Sequence, residues 1–402
     1  MRILFISQLF DPEYSIKGLD LMKHWVDLGH EVEVITTYPN YPTGKVLDGY
    51  KVKLYDIEHI DGVKIIRLWS YISHSKSKIS RASSYLSFTF MALASTMLTR
   101  KPDLIYAYHP QSTTGLIGIV MKYLQGVPFI TDVQDLWPDA LYATGLSEYN
   151  LAMKAIDKWC SLIYKQSSKI IVLSNGFKNA LIERGVSEQK IEVIYNWCPE
   201  ESRIEDTLSK SSESDKDKNK PARFIYAGNM GSAQSLESLI KAVSYFDESE
   251  LTLTLIGGGI EKEALTHYIE DNNINNVSVS SYTPPSEIFS KLNTADVLVV
   301  HLRNHPLFHI TIPSKTQSSL AMRKPVLMVV GGESNEIIKQ SEAGVIAEPG
   351  NIESIREAIE ILLSNRDMWH EWGENGRNLY LKQFSIKNNY RRLSNVLKKV
   401  IS

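Results

Sequence analysis

Short runs of β-branched and aliphatic residues recur along the chain, separated by longer stretches in which apolar residues return every three or four positions. In the first half these runs are Ile3 to Ser7, Val32 to Thr36, Val63 to Leu68, Asp103 to Tyr108, Phe129 to Val133, Lys169 to Leu173 and Ile191 to Ile194. Strands alternating with helices in this way predict a parallel, doubly wound α/β sheet. Between Arg203 and Lys220 the pattern stops in a stretch of five acids, five bases and many serines, so a domain boundary is expected just before it, near residue 200. The alternation restarts with Phe224 to Ala227, Leu251 to Ile256, Val277 to Ser281, Val297 to Val300, Val326 to Val330 and Val345 to Ala347, with helices such as Ser235 to Phe246 and Ile352 to Leu363 between them. A second Rossmann-like domain is therefore expected over residues 201–385. The amphipathic stretch Ile386 to Ile401 predicts a last helix, which can pack on the second domain or cross back to the first. No internal repeat is visible, which excludes solenoids and propellers.

The length of 402 residues agrees with two domains. A formal net charge of -2 offers no global positive field for a polyanion, so no nucleic-acid partner is expected. Cys160 and Cys198 fit neither a zinc spacing nor a disulfide framework and read as small buried residues in a reducing compartment. The amino-terminal apolar run is followed at once by Asp11-Pro12, which suits a first strand rather than a signal segment. The longest apolar stretch, Tyr85 to Leu98, is short of the ~20 residues a spanning helix needs. It adjoins seven basic residues and no acid between Gly62 and Lys101 (Lys64, Arg67, Lys76, Lys78, Arg81, Arg100 and Lys101), a combination that suits an anionic membrane surface or a core helix with a basic rim.

Ligands of doubly wound sheets sit beyond the carboxyl ends of the strands, so candidate chemistry is sought there. Gly18 opens the first helix and is either a plain helix-start glycine or a point where a ligand reaches backbone N–H groups. The turn lacks the glycine spacing of a dinucleotide fingerprint, which argues against a nicotinamide enzyme. His109, in Tyr108-His109-Pro110, is held at a strand end where it can hydrogen-bond a sugar hydroxyl or a departing phosphate oxygen. Asp132, Asp135 and Asp139 flank Trp137 and suit sugar hydroxyls and a sugar face, although Asp139 equally suits a helix cap and Trp137 the core. In the second half, Gly228-Asn229-Met230-Gly231 and Gly257-Gly258-Gly259 follow strands and can expose N–H groups to phosphate. Pro313-Ser314-Lys315 reads as a helix start at which dipole, free N–H groups and an ammonium converge on a diphosphate, or as a capped helix with a solvated lysine.

Taken in order, these residues resemble the retaining GT-B glycosyltransferases of family 4, in particular the bacterial surface-polysaccharide enzymes of L-fucosamine-transferase type. The resemblance rests on Pro12-Glu13 and Gly18; Gly29-His30-Glu31-Val32 with Pro39-Asn40-Tyr41-Pro42; Asp132 to Asp139; Ser174-Asn175-Gly176-Phe177; Asn196-Trp197; Tyr226-Ala227-Gly228-Asn229; and Ile312-Pro313-Ser314-Lys315. It implies two Rossmann-like domains facing a central cleft, the first holding the acceptor and the second a nucleotide-sugar donor. It further implies His109, Asp135 and Lys315 as catalytic groups, with Lys315 at the diphosphate, and Gly18, Gly228, Asn229, Gly257, Gly258, Gly259, Tyr282, Arg303, Pro313, Ser314 and Ser318 around the donor.

No metal or other cofactor is implied, because a lysine and helix ends neutralise the phosphates. The reaction implied is transfer from a UDP-sugar, with an N-acetylated deoxyhexosamine such as L-FucNAc as the best single guess. The acceptor would be an undecaprenyl-diphosphate-linked saccharide at the cytoplasmic membrane face, for O-antigen or capsule assembly. Retention would proceed by front-face displacement. Two departures stand out: Ile310 and Ser318 occupy positions where many relatives carry glutamates, and Asn229 and Gln234-Ser235 stand where relatives carry Arg and Lys. Those departures keep two other readings open, a GT-B nucleotide-sugar epimerase and a non-catalytic nucleotide-sugar-binding partner.

Overall fold

A computed structural model of the chain describes residues 1–41, 43–72, 78–96, 99–109, 111–142, 151–210, 220–284 and 286–401, apart from the side chains of Lys78, His109, Leu141, Tyr142 and Ala152. It divides into two compact units, one of residues 1–194 with 390–402 and one of residues 195–389.

The first unit is built on β1 (Arg2–Ile6), β2 (Glu31–Thr37), β3 (Tyr55–Ile60), β4 (Val63–Leu68), β5 (Leu104–His109), β6 (Phe129–Val133), β7 (Lys169–Val172) and β8 (Ile191–Val193), in the order β3-β4-β2-β1-β5-β6-β7-β8. All neighbours pair in parallel except β3, which runs antiparallel to β4. The central strands are apolar almost throughout because helices cover both faces. β3 departs from the expected strand list for the same reason in reverse. As an edge strand reading Tyr-Asp-Ile-Glu-His-Ile it buries neither face fully, so its apolar signal is diluted by charge.

Phe5 anchors the core, with its ring centroid 5.4 Å from that of Tyr106, 5.8 Å from Tyr108 and 6.4 Å from Trp25. The last helix, Ile386–Ile401, brings Tyr390, Leu393, Val396 and Leu397 into burial, and the Tyr390 ring lies 4.9 Å from His24 of the first unit.

Two groups expected at the surface lie inside this unit. Asp132 is fully buried, paired with the equally buried Lys17, and accepts a hydrogen bond from the Tyr106 hydroxyl. Its carboxylate is therefore a tie between the loop after β1 and the end of β6, and not a free acceptor for sugar hydroxyls. Arg67 is also buried, bonded through Nε to Glu58 (2.9 Å) and through Nη2 to the Asp11 carbonyl (2.7 Å), so it leaves the basic surface proposed for 62–101. Lys64 pairs with Glu33 at 3.2 Å, and Lys76 lies outside the described residues.

The second unit contains β9 (Ala222–Asn229), β10 (Leu251–Gly258), β11 (Val277–Ser280), β12 (Val297–His301), β13 (Val326–Val329) and β14 (Gly344–Ile346), all parallel, in the order β11-β10-β9-β12-β13-β14. This is the strand order of a dinucleotide-type Rossmann sheet, with its switch point between β9 and β12. One face packs Phe224, Tyr226, Leu253 and Leu255 against the helices Glu237–Val243 and Ile352–Ser364. The other packs Ile225, Leu298, Val300 and Met328 against Leu320, Tyr380 and Phe384. The charged stretch after the expected boundary opens with a helix, Glu201–Lys210, whose Ile204 is buried while Glu205 pairs with Arg377. A single buried apolar residue is too little periodicity to register in sequence. Residues 211–219 lie outside the described set.

Removing one partner of a buried ion pair leaves the other charge desolvated and uncompensated. Lys17→Met is expected to lower unfolding free energy by about 3 kcal/mol in urea titrations. The double variant Lys17→Met with Asp132→Asn should lose clearly less, because no lone charge remains buried.

Candidate active site

At the carboxyl edge of the second sheet, β9 and β10 stay in register through their last residues, Gly257 opposite Gly228 and Gly258 opposite Asn229. A Cβ on Gly257 would stand 2.0 Å from the Gly228 carbonyl oxygen, and one on Gly259 would stand 2.3 Å from that of Met230. Both glycines have φ near +145°, a region other residues avoid. Gly258 faces open space. These glycines therefore let two backbones close together, which is a packing requirement before it is a ligand requirement.

Gly228 does something further. The space its Cβ would fill is taken by the arm of Lys315, with Cε 2.2 Å and Nζ 2.7 Å from that position. Lys315 sits in the first turn of the helix Ser314–Ala321, entered through Pro313 in an extended conformation. Its ammonium lies 4.8 Å from the centre of the Tyr226 ring. No carboxylate among the described residues pairs with it, and desolvation pushes its pKa down to about 8. An underhydrated cation beside a helix amino terminus is a receptor for an anion. In the same turn the Thr316 hydroxyl is buried and has no partner among the described residues.

Around this point the other expected residues divide. Asn229 is exposed and donates through Nδ2 to Gln234 Oε1 (2.9 Å). Arg303 donates its backbone N–H to the Ala233 carbonyl (2.9 Å) and places its guanidinium 5.9 Å from the Phe308 ring. Ser314 is exposed, whereas the Ser318 hydroxyl turns back onto the Lys315 carbonyl (3.1 Å) of its own helix. Tyr282 is exposed beyond β11. His301 was missed by the sequence reading. It ends β12, is fully buried, and lies near enough to Lys315 that the ammonium helps burial drive its pKa down to about 4. The rule that singled out His109, a histidine at a strand's carboxyl end, applies equally to Val-Val-His301.

In the first unit the loop after β1 is stapled to its neighbours. Glu13 accepts from the backbone N–H groups of Asn40 and Tyr41 (2.5 Å for the latter), which joins Pro12-Glu13 to Pro39-Asn40-Tyr41. Asp11 caps the helix Leu19–Asp27 by accepting from Leu19 N (2.8 Å), and its carboxylate fills the space a Cβ on Gly18 would need. Gly18 thus makes room for this cap. Asp139 pairs with Arg184, which also donates to the Trp137 carbonyl (3.1 Å), and Trp137 is half-buried 6.1 Å from Tyr85. Of the three aspartates Asp135 is the most exposed, yet protein crowding strips enough water from its carboxyl to push its pKa up to about 6. His109 closes β5, but its side chain lies outside the described residues.

Residues 19–197 match the family described as glycosyl transferase 4-like domain, and residues 208–379 match glycosyl transferases group 1. WcaI of Escherichia coli (strain K12), named for colanic acid biosynthesis as a glycosyl transferase, is 25% identical over 338 residues, covering 80% of this chain and 81% of that protein. Among solved structures, sucrose-phosphate synthase of Thermosynechococcus elongatus superposes with a TM-score of 0.73 at 15% identity, covering 99% of this chain and 98% of that one. HepE of Anabaena, solved with UDP and glucose, gives 0.67 at 16% identity over 99% and 100% of the two chains. The fold is thus the two-domain α/β GT-B fold.

Because its folded-state pKa of about 8 lies below the ordinary lysine value of 10.5, the charged form of Lys315 costs stability. That cost is present in full below pH 8 and is lost as pH rises through 10.5, above which both states are neutral. Lys315→Met should therefore raise the melting temperature of the ligand-free protein at pH 7, with a gain that shrinks as pH rises above 8, measured by calorimetry.

Proposed function

Because the chain belongs to the group 1 glycosyltransferases, with a glycosyltransferase 4-like amino-terminal domain, we propose that it moves a sugar from a UDP-sugar to a lipid-linked saccharide during assembly of a bacterial surface polysaccharide. The observation that carries the reading is the desolvated Lys315 ammonium, without a carboxylate partner among the described residues, lying across Gly228 at a helix start, which suits a diphosphate. HepE was solved with UDP, which supports that nucleotide, and WcaI is named for a surface polysaccharide, which supports the pathway class. An N-acetylated deoxyhexosamine such as L-FucNAc is the donor sugar we favour.

In the proposed retaining reaction the bond from the anomeric carbon to the phosphate oxygen breaks and a bond to the acceptor oxygen forms on the same face. The acceptor's proton passes to the departing phosphate oxygen. The leaving diphosphate carries the negative charge, and Lys315 with the first N–H groups of its helix stabilises it, so no resident metal is required. On the acceptor unit we assign His109 and Asp135 as the catalytic groups; an ionised Asp135 is suited to accept from a sugar hydroxyl.

The same unit carries a surface suited to the lipid. Ile79, Leu86 and Phe90 of the helix Lys78–Thr96 are 80%, 57% and 73% exposed, at spacings that share one side of a helix. Arg81, Arg100 and Lys101 are exposed within the same segment. Among the described residues no helix is long and apolar enough to cross a membrane, so we propose peripheral contact with an anionic bilayer through this face.

UDP and UDP-sugars should raise the melting temperature of the protein, while GDP and ADP compounds should not, and Lys315→Met should erase the shift; no shift with any nucleotide would refute the donor reading. The kcat/KM for the donor should follow a bell in pH, falling below about 6 as Asp135 protonates and above about 8 as Lys315 loses its proton. Flotation with anionic vesicles should be lost on Leu86→Glu with Phe90→Glu.

A further inference from the structure

The loop that follows β9 is held from an unexpected side. His301 Nδ1 stands 2.7 Å from the Gln234 carbonyl oxygen, and its Nε2 stands 3.3 Å from Ser238 Oγ. A carbonyl only accepts, so Nδ1 carries the proton and donates. Gln234 is in turn the centre of the loop. Its side-chain oxygen accepts from Asn229 Nδ2 (2.9 Å) and from the Gly231 N–H (3.2 Å), and its own N–H donates to the Gly231 carbonyl (2.8 Å). Two residues past His301, the Arg303 N–H holds Ala233. The residue after Gln234, Ser235, has φ +48°, a left-handed conformation that a non-glycine residue adopts only at a cost. Strain of this kind persists only where the surroundings over-determine it, and it concentrates where backbone shape serves a ligand.

We propose that His301 is a positioning residue for donor binding. By fixing the Gln234 carbonyl it holds the loop from Asn229 to Ser235 against the strand end on which Lys315 lies, in the shape that receives the nucleotide. The inference rests on the reading of this strand edge as the donor site. Burial and the neighbouring Lys315 keep the imidazole neutral, so it acts as a fixed hydrogen-bond donor and adds no second charge to the anion site.

The test is UDP affinity together with steady-state constants of the full chain for His301→Leu, His301→Asn, His301→Met and Lys315→Met. His301→Leu removes the donor and is expected to weaken UDP binding and raise donor KM about tenfold, with kcat changed much less. His301→Asn keeps a short N–H donor and should recover most of that loss, which a mere packing role would not allow. A folded His301→Leu with unchanged UDP affinity, or a His301→Asn as impaired as His301→Leu, would overturn the proposal. Should His301→Leu fail to fold, His301→Met, which likewise offers the Gln234 carbonyl no donor, decides in its place, and unchanged affinity is again fatal. If Lys315→Met abolishes UDP binding while the His301 variants leave it intact, only the positioning role falls. If UDP binds neither wild type nor Lys315→Met, the donor site itself is misassigned and the inference falls with it.

Discussion

Everything at the carboxyl edge of the second sheet depends on the absence of a side chain at Gly228. The Lys315 arm occupies the volume a Cβ would need, and the Gly228 carbonyl occupies the volume that a Cβ on Gly257 would need. A side chain at 228 would push Lys315 off the strand end, and one at 257 would part β9 from β10 where their pairing is last made. Backbone register and the placing of a cation are thus one constraint. Had the lysine lain over open solvent, its ammonium would keep its hydration, and its attraction for a diphosphate would be screened by water and salt. Laid against backbone and the Tyr226 ring, it holds a charge that the folded protein alone satisfies poorly.

The first unit handles charge by a different route. Most of its strand-end ionisable groups are consumed internally: Lys17 by Asp132, Arg67 by Glu58, Asp139 by Arg184, and Asp11 and Glu13 by backbone N–H groups. These ties fix the loops after β1, β2 and β6 to one another, which buries polar groups at the cost of desolvation but gives loops without regular hydrogen bonding a single arrangement. The carboxylate left over is Asp135. Three aspartates that look alike in Asp132 to Asp139 therefore have three separate fates, decided by whether Lys17 or Arg184 is within reach.

That sorting marks the limit of what could be read from the sequence. Strand positions were legible because fully buried parallel strands are continuous apolar runs, and every expected run became a strand to within a few residues. β3 was illegible because an edge strand needs no such run, and the helix Glu201–Lys210 because it buries almost nothing. At the site, Lys315 and the glycine turns were visible as local chemistry on strand ends. His301 carried the same local signal as His109 and was passed over because the four-residue span read for β12 stopped one residue short of it. The fate of Asp132 was not visible, since its partner Lys17 lies 115 residues away, and that of Arg67 was hidden because its carboxylate, Glu58, sits on the illegible edge strand β3 and its second acceptor, the Asp11 carbonyl, lies 56 residues away. Long-range pairing leaves no mark in spacing or periodicity.

The two departures from the family pattern take on physical meaning once these positions are seen. With Ile310 and Ser318 in place of acids and Asn229 with Gln234 in place of bases, the strand edge around Lys315 loses charge of both signs. Two opposite charges removed together leave the net field little altered, but they remove the screening partners that a lysine among carboxylates would have. Among the described residues no carboxylate offsets the Lys315 charge, so it attracts an incoming anion in full. The neutral amide and imidazole groups that remain, Asn229, Gln234 and His301, then act through shape, holding backbone N–H groups in place without competing for the anion. The site thus replaces a network of charges with one charge and a rigid loop, and the left-handed Ser235 marks where that rigidity is held under strain.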